Sequence, residues 1–250
     1  MASSKKTTQG KDQPANTALT AKLFLDELKK LRTSAASDNS QFFAGDDKKT
    51  QFLGVRMSNI FELAKRFTPM DLDEIEKLLQ SDFYEVRMGA VSIMDFQARD
   101  KKVTPERRKE LYELYIKHHN RINNWDLVDR SAPYVVGGYL YDKVRVPLYK
   151  LAKSKNVWER RTAIVSTYYF IRQDEVDDTF RIAELLVNDK HDLINKAVGS
   201  WIREAGKKDK KRLIDFLDSY SAVMPRTMLR YAIEKLEMKQ RDFFLNKANL

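Results

Sequence analysis

The chain has 250 residues, enough for one large domain or two small ones, and 42% of them are hydrophobic, which is ample for a core. Only 8 glycines and 6 prolines occur while Leu, Lys, Glu, Ala and Arg abound, so helices are favoured over strands. The absence of cysteine excludes disulfides, thiolate metal sites and iron–sulfur clusters, and the net charge of +10 points to a polyanionic partner or to a basic solvated surface.

The opening MASSKKTTQGKDQPANTALT lacks an apolar signal core and reads as a disordered polar tail over 1–19, with a single domain expected over 20–250. No run of 18 apolar residues occurs, so no membrane span is expected, and a reducing cytoplasm is the expected setting. AKLFLDELKKLR sets Leu23, Phe24, Leu28 and Leu31 at helical spacing. The stretch SAASDNSQFFAGDDKKTQFLGVRM then reads as a loop. SNIFELAKRF follows with Ile60, Phe61, Ala64 and Phe67 on one side. MDLDEIEKLLQS opens with acids and closes apolar, as a helix start should. Further amphipathic helices are expected in PERRKELYELYIKHH, VPLYKLAKS, DDTFRIAELLVND and DKKRLIDFLDSY.

An internal repeat orders these segments. Similar helices recur around Ala90 in VRMGAVSIM, Ala132 in DRSAPYVVG, Ala163 in RRTAIVSTY, Ala197 in INKAVGSWI and Ala232 in LRYAIEKLE. The intervals of 42, 31, 34 and 35 residues are the length of one helix pair, which indicates an α-solenoid. A small alanine among larger apolar residues lets neighbouring helices approach closely. The second helix of each pair usually lines the concave side of such a solenoid. Basic residues cluster in these helices: Arg87, Arg130, Arg160, Arg161, Lys196, Arg203, Arg226 and Arg230. Positive charge on one wall of a groove would suit a phosphate backbone, although for any one of them a solvated or ion-paired role stays open.

The most informative stretch is NNWDLVDRSAPYVVGG. Two asparagines look like a helix start, and Trp125 and Asp129 then project from one side four residues apart. A core face would not take an unpaired carboxylate, and a purely solvent face gives no reason for the tryptophan. The pair therefore marks a surface that meets something. Asp126 reads as an acid facing the helix dipole, and Trp158 as a core residue. His118, His119 and His191 form no convincing metal set, and solvent exposure is the expectation for them. No glycine-rich phosphate loop, Ser/His nucleophile or dinucleotide fingerprint is present, so no cofactor or metal is expected.

From about residue 20 to about 240 the chain resembles the bacterial DNA alkylation repair enzymes, AlkD-like alkylpurine DNA glycosylases built from HEAT-like repeats. The segments that carry the resemblance are NNWDLVD…SAPYVVG, FLGVRMSNIFELAKRF, VWERRTAIV and LINKAVGSWIREAGK, in that family's order. The resemblance implies an all-α, curved solenoid of HEAT-like repeats. It also implies a monomer acting on duplex DNA that contains N3- or N7-alkylated purines, without a closed base-flipping pocket. It places the lesion site on Trp125, Asp129 and Arg161, with Asp129 stabilising a cationic sugar and Arg161 holding a phosphate. A second tryptophan normally follows the glycine of the later segment. Here that position is Ser200, and Trp201 comes one residue late. One helical step turns a side chain by roughly 100°, so Trp201 is expected to substitute only in a rotated or rewound helix. The competing function is a noncatalytic HEAT-like module that binds DNA backbones or branched DNA, or scaffolds another protein.

Overall fold

Start signals written in the sequence set the helices. The side chains of Thr20, Thr104, Asn156 and Asp209 accept hydrogen bonds from backbone N–H groups in the first turns of α1 (Ala21–Lys30), α5 (Pro105–Lys117), α9 (Val157–Ile171) and α12 (Lys210–Tyr220). Pro105 occupies the first turn of α5, where its missing N–H costs nothing. The remaining helices are α2 (Met57–Arg66), α3 (Leu72–Leu79), α4 (Tyr84–Arg99), α6 (Trp125–Ala132), α7 (Gly138–Leu140), α8 (Val146–Ala152), α10 (Asp177–Leu186), α11 (Asp192–Gly206), α13 (Arg226–Ile233) and α14 (Met238–Lys247). The computed structural model describes residues 18–32, 39–45 and 47–247, so all but the end of the expected polar tail lies outside the described residues. Among the described residues there is no strand, only an isolated bridge between Gln51 and Phe83.

The helices stack in pairs, α1 with α2, α3 with α4, α8 with α9 and α10 with α11. The second helices form a continuous row in which α2 meets α4, α4 meets α6, α6 meets α9, α9 meets α11 and α11 meets α13. This is an α-solenoid of HEAT-like repeats, and the five alanines explain its spacing. Ala90, Ala132, Ala163 and Ala232 are fully buried and Ala197 nearly so, each on one helix of the row. Gly199 tightens the last step further. A Cβ there would lie 2.5 Å from the Met228 carbonyl oxygen, so only glycine lets α11 and α13 come this close.

Between α6 and α7 the chain makes a π turn over Pro133–Gly137, closed by the Gly138 N–H donating to the Pro133 carbonyl. Pro133 has no N–H to offer the carbonyl of Asp129, which would be its partner in an uninterrupted helix. The turn lies within the stretch singled out in the sequence, after its tryptophan and aspartates.

The stretch expected to be a simple loop carries more structure than that. Asn39–Phe42 form a 3₁₀ turn, and Leu53 and Val55 are core residues. The buried Glu85 carboxylate accepts from the Leu53 and Gly54 N–H groups, both at 2.9 Å, and holds the segment against α4. Gly54, at φ 75°, takes a backbone conformation that a side chain would strain. On α2 the buried positions are Ile60, Leu63 and Ala64, while Phe61 is only half-buried and takes the Arg130 guanidinium 4.9 Å above its ring. No helix of the described residues is long and apolar enough to cross a membrane.

Candidate functional site

The start of α6 is held by a polar cluster that the sequence half-announces. Asn124, fully buried, accepts from the Ala44 N–H at 2.9 Å and donates to Asp126 Oδ1 at 2.7 Å. Asp126 also accepts from the Leu127 N–H at 2.9 Å and from the Tyr84 hydroxyl. Burial pushes the Asp126 carboxyl above its ordinary range, against the pull of these bonds. Its place in the first turn is the one expected for a dipole-facing acid. With Leu127 and Val128 turned into the core, Trp125 and Asp129 are left half-buried on one side of the helix.

Asp129 meets Arg161 of α9. The guanidinium Nε donates to Oδ1 at 2.8 Å and Nη2 to Oδ2 at 2.7 Å, a two-pronged pairing, while Nη1 donates to the Leu193 carbonyl of α11 at 2.6 Å. Arg161 thus ties three consecutive helices of the row together. Its side chain is 8% exposed, whereas that of Asp129 is 33% exposed, so the carboxylate presents its remaining lone pairs outward and the arginine stays beneath. The fork that the resemblance assigned to a phosphate is engaged by the aspartate.

A cavity of about 530 Å³ opens over this pair, with Trp125, Asp129 and Arg161 on its wall. Ser200 and Trp201 both line it. The helix that carries them, α11, is unbroken from Asp192 to Gly206, so of the two expected adjustments, rotation or rewinding, it shows no local rewinding. Trp201 reaches toward α9 and lies against Tyr168, ring centroids 4.9 Å apart at 37°. Tyr168 and Tyr231, also on the wall, escaped the sequence reading. A signal for Tyr168 existed, since it follows Arg161 by seven residues, two helical turns on the same face. Nothing local announces Tyr231.

Behind the pair lies a buried network. Thr162 Oγ1 is 3.0 Å from the Tyr115 hydroxyl and 2.9 Å from His119 Nε2. Burial lowers the His119 pKa to about 4, so the ring is neutral at pH 7. None of the three histidines is simply solvent-exposed: His118 pairs with Glu76 at 2.6 Å, and His191 Nδ1 accepts from the Leu193 N–H at the start of α11. Among the described residues no group of three or more potential metal ligands comes together.

The expected basic wall divides. Arg87 is fully buried and donates to the Ser81 carbonyl at 2.9 Å and to Thr50 Oγ1 at 2.9 Å, so it braces the fold instead of lining a groove. Arg130 pairs with the buried Asp95 at 3.1 Å between the rings of Phe61 and Phe96, and Arg160 with Asp189 at 2.6 Å; both are structural ties. Arg226 donates to the Leu245 carbonyl at 2.9 Å. Lys196 and Arg203 do reach the cavity wall, held by Asp192 and by Glu204 and Glu234 respectively. Arg230 is exposed. Trp158, 6% exposed, is a core residue as expected.

Residues 24–236 match the family model described as DNA alkylation repair enzyme. The fold is similar to that of a solved structure described as a predicted DNA alkylation repair enzyme from Enterococcus faecalis. The TM-score is 0.60 at 16% sequence identity, over 76% of this chain and 90% of that one. No curated protein matches the chain. The matched region holds Trp125, Asp129, Arg161 and the cavity above them, and spans most of the molecule: the chain belongs to the DNA alkylation repair enzyme family.

Proposed function

We propose that the protein is a monofunctional DNA glycosylase that removes positively charged N3- or N7-alkylated purines from duplex DNA. The observation that carries this reading is the Asp129 carboxylate, fixed by Arg161 from below and open to the cavity beside Trp125. An alkylated purine with a formal positive charge is already a good leaving group. The bond between C1′ and the purine nitrogen breaks with its electron pair going to the base, which leaves neutral. Positive charge builds on the deoxyribose, and a nearby carboxylate stabilises it. Water then bonds to C1′, loses one proton to solvent and leaves an abasic sugar.

Two unit charges 4 Å apart attract by roughly 4 kcal/mol at an effective dielectric near 20, about a thousandfold in rate. The positive charge of Arg161 on the far side of the carboxylate offsets part of this, so the contribution of Asp129 falls below that ceiling. Trp125 would pack against the sugar and meet the cationic centre through its π face. The role of Arg161 in this reading is to position Asp129. Lys196, Arg203 and Arg230 are the basic residues offered to phosphates. The protein would act as a monomer in the cytoplasm, without cofactor.

The test is base release from duplex DNA containing N7-methylguanine under single-turnover conditions. A second reading, backbone binding without chemistry, is favoured by the same ion pair, because both Asp129 oxygens already accept from Arg161. It expects DNA binding and no released base.

A further inference from the structure

Where α7 packs against α5, tyrosines gather that the proposed chemistry does not use. Tyr139 stacks on Tyr112 of α5 with ring centroids 4.5 Å apart, and Tyr169 of α9 meets both Tyr134 and Tyr141 edge to face at 5.6 Å. All five are half-buried. A cavity of about 400 Å³ opens among Tyr139, Tyr141 and Tyr169, with Val103 and Pro105 adding apolar surface. It is separate from the cavity over Asp129, since the two walls share no residue.

One arginine gives this cavity its charge. Arg108 is half-buried and its guanidinium lies over Gly138, where a Cβ would stand 3.7 Å from Nη1 and 3.3 Å from the Tyr169 ring. Among the described residues that guanidinium forms no ion pair or hydrogen bond, so its fork is free. Asp142, the one acid on the wall among the described residues, is paired with Lys143 at 2.6 Å. Lys101 and Lys102, just ahead of Val103, are exposed and also form no ion pair among the described residues. Three of the rings already hold a cation. Arg99 lies 3.9 Å from the Tyr134 centroid, Lys143 4.8 Å from that of Tyr139 and Arg145 5.6 Å from that of Tyr141. Ring faces engaged in this way are not open to stack a base.

We infer that this edge of the solenoid docks an acidic, aliphatic-bearing segment of a partner protein. One carboxylate sits on the Arg108 fork, and a neighbouring aliphatic side chain enters among Tyr139, Tyr141 and Tyr169. A guanidinium holds a carboxylate through two parallel hydrogen bonds, so a free fork beside apolar walls is an anchor for an acid. Tyrosine and arginine are also the residue types enriched where protein interfaces bind most strongly. The chain runs on from Lys143 into Val144 and Val146, 76% and 51% exposed, an apolar pair that the described residues leave uncovered. Lys101 and Lys102 favour further acids in the same segment and speed its approach. This surface does not depend on the glycosylase reading, because none of its residues lines the Asp129 cavity.

The experiment selects peptides from a random displayed library on the immobilised full chain, then measures the tightest one by fluorescence anisotropy. The selected peptides carry acids next to Leu, Ile or Val. Their Kd rises about tenfold in Arg108→Ala, the scale of an interface hot spot. Val144→Asp, at a position too exposed to disturb folding, weakens binding about fivefold by repulsion. Arg181→Ala removes the same charge from an exposed position on α10 and leaves the Kd unchanged. An empty selection, peptides without acids, or a Kd that Arg108→Ala does not move overturns the docking surface. An equal loss in Arg181→Ala also overturns it, since net charge alone would then explain the binding. Displacement of the peptide by single-stranded oligothymidylate at equal concentration would assign the edge to nucleic acid instead. Base release from N7-methylguanine duplex stays at the wild-type rate in Arg108→Ala; a fall would make Arg108 part of the DNA site and remove the docking surface. No release by the wild type would strike the glycosylase reading and leave the peptide result standing.

Discussion

The Asp129 carboxylate and the Arg161 guanidinium meet edge to edge, Oδ1 to Nε at 2.8 Å and Oδ2 to Nη2 at 2.7 Å, across the boundary between α6 and α9. Each oxygen spends one lone pair on the arginine and keeps another. The pair is thus both a tie between repeats and a fixed, outward-facing negative charge, and the two roles respond differently to substitution.

Asp129→Asn keeps the shape and removes the charge. Base release from N7-methylguanine duplex should fall about 10- to 100-fold, below the Coulomb ceiling because Arg161 offsets part of the charge. Stability should fall by about 1–3 kcal/mol, since a nearly buried guanidinium loses its counter-charge. Urea denaturation and single-turnover release on the same preparation measure both. A variant that releases base at the wild-type rate would remove Asp129 from the mechanism.

Arg161→Lys tests the fork. A lysine ammonium is a point donor and cannot hold both oxygens in plane. We expect base release to drop about tenfold, with DNA affinity nearly unchanged, because the positive charge is kept. Combining Arg161→Gln with Asp129→Asn should cost less stability than the two single changes added together, by about 1–3 kcal/mol in a double-mutant cycle. Additive costs would mean that the two side chains act independently.

The basic residues separate by partner. Arg230→Ala should leave the melting temperature unchanged and lower the slope of log affinity against log salt by about 1, as one lost phosphate contact does. Arg87→Leu should instead destabilise the fold by about 3 kcal/mol or more, since it strips a buried network of its donor. Burial, with the nearby Arg121 charge, holds Arg87 down at about 10, so it is still charged at neutral pH. A normal melting curve for Arg87→Leu would contradict its bracing role.

Stability should depend on pH through His119. Its folded pKa of about 4 lies below the ordinary 6.5, so the unfolded chain takes up the proton first as pH falls. The stability present above pH 6.5 is lost progressively down to pH 4, by roughly 3 kcal/mol at most. His119→Gln should flatten that part of the curve, as read by urea denaturation at a series of pH values. An unchanged pH profile would show that the ring takes up its proton at the same pH in the folded and unfolded chain.

The solenoid was legible because its alanines recur at the length of a helix pair, and burial of an entire helix row demands small residues at regular places. Trp125 and Asp129 were legible from one helical face. The roles of Arg87, Arg130 and Arg160 were not, because a charge in sequence does not announce its partner. Asp189, which holds Arg160, lies 29 residues away, and only the stacking of repeats brings the two together. The same limit hid the Arg161 fork: its spacing from Asp129 says nothing until α6 and α9 are set side by side. Trp201 shows a different gap. Helical phase alone admitted it to the site only with a rotated or rewound helix, yet Trp201 lines the cavity from a helix that is unbroken from Asp192 to Gly206.

The π turn after Ala132 has a consequence for how such a site is inherited. A π turn is in effect one residue inserted into a helix, so the segments before and after it are phased independently. Asp129 and Trp125 take their bearing from the first segment, while Gly137 is fixed by the Ser166 carbonyl, 2.2 Å from where a Cβ would stand. Loss of any single residue from Tyr134 to Val136 would restore the ordinary period and turn the two segments relative to each other by roughly 100°. Asp129 would then keep its place in the cavity only if Gly137 gave up its seat against Ser166, although every residue of the site remained in the sequence. Whether a relative of this chain carries the site is therefore a matter of length as much as of identity, and an alignment that places a gap here deletes it.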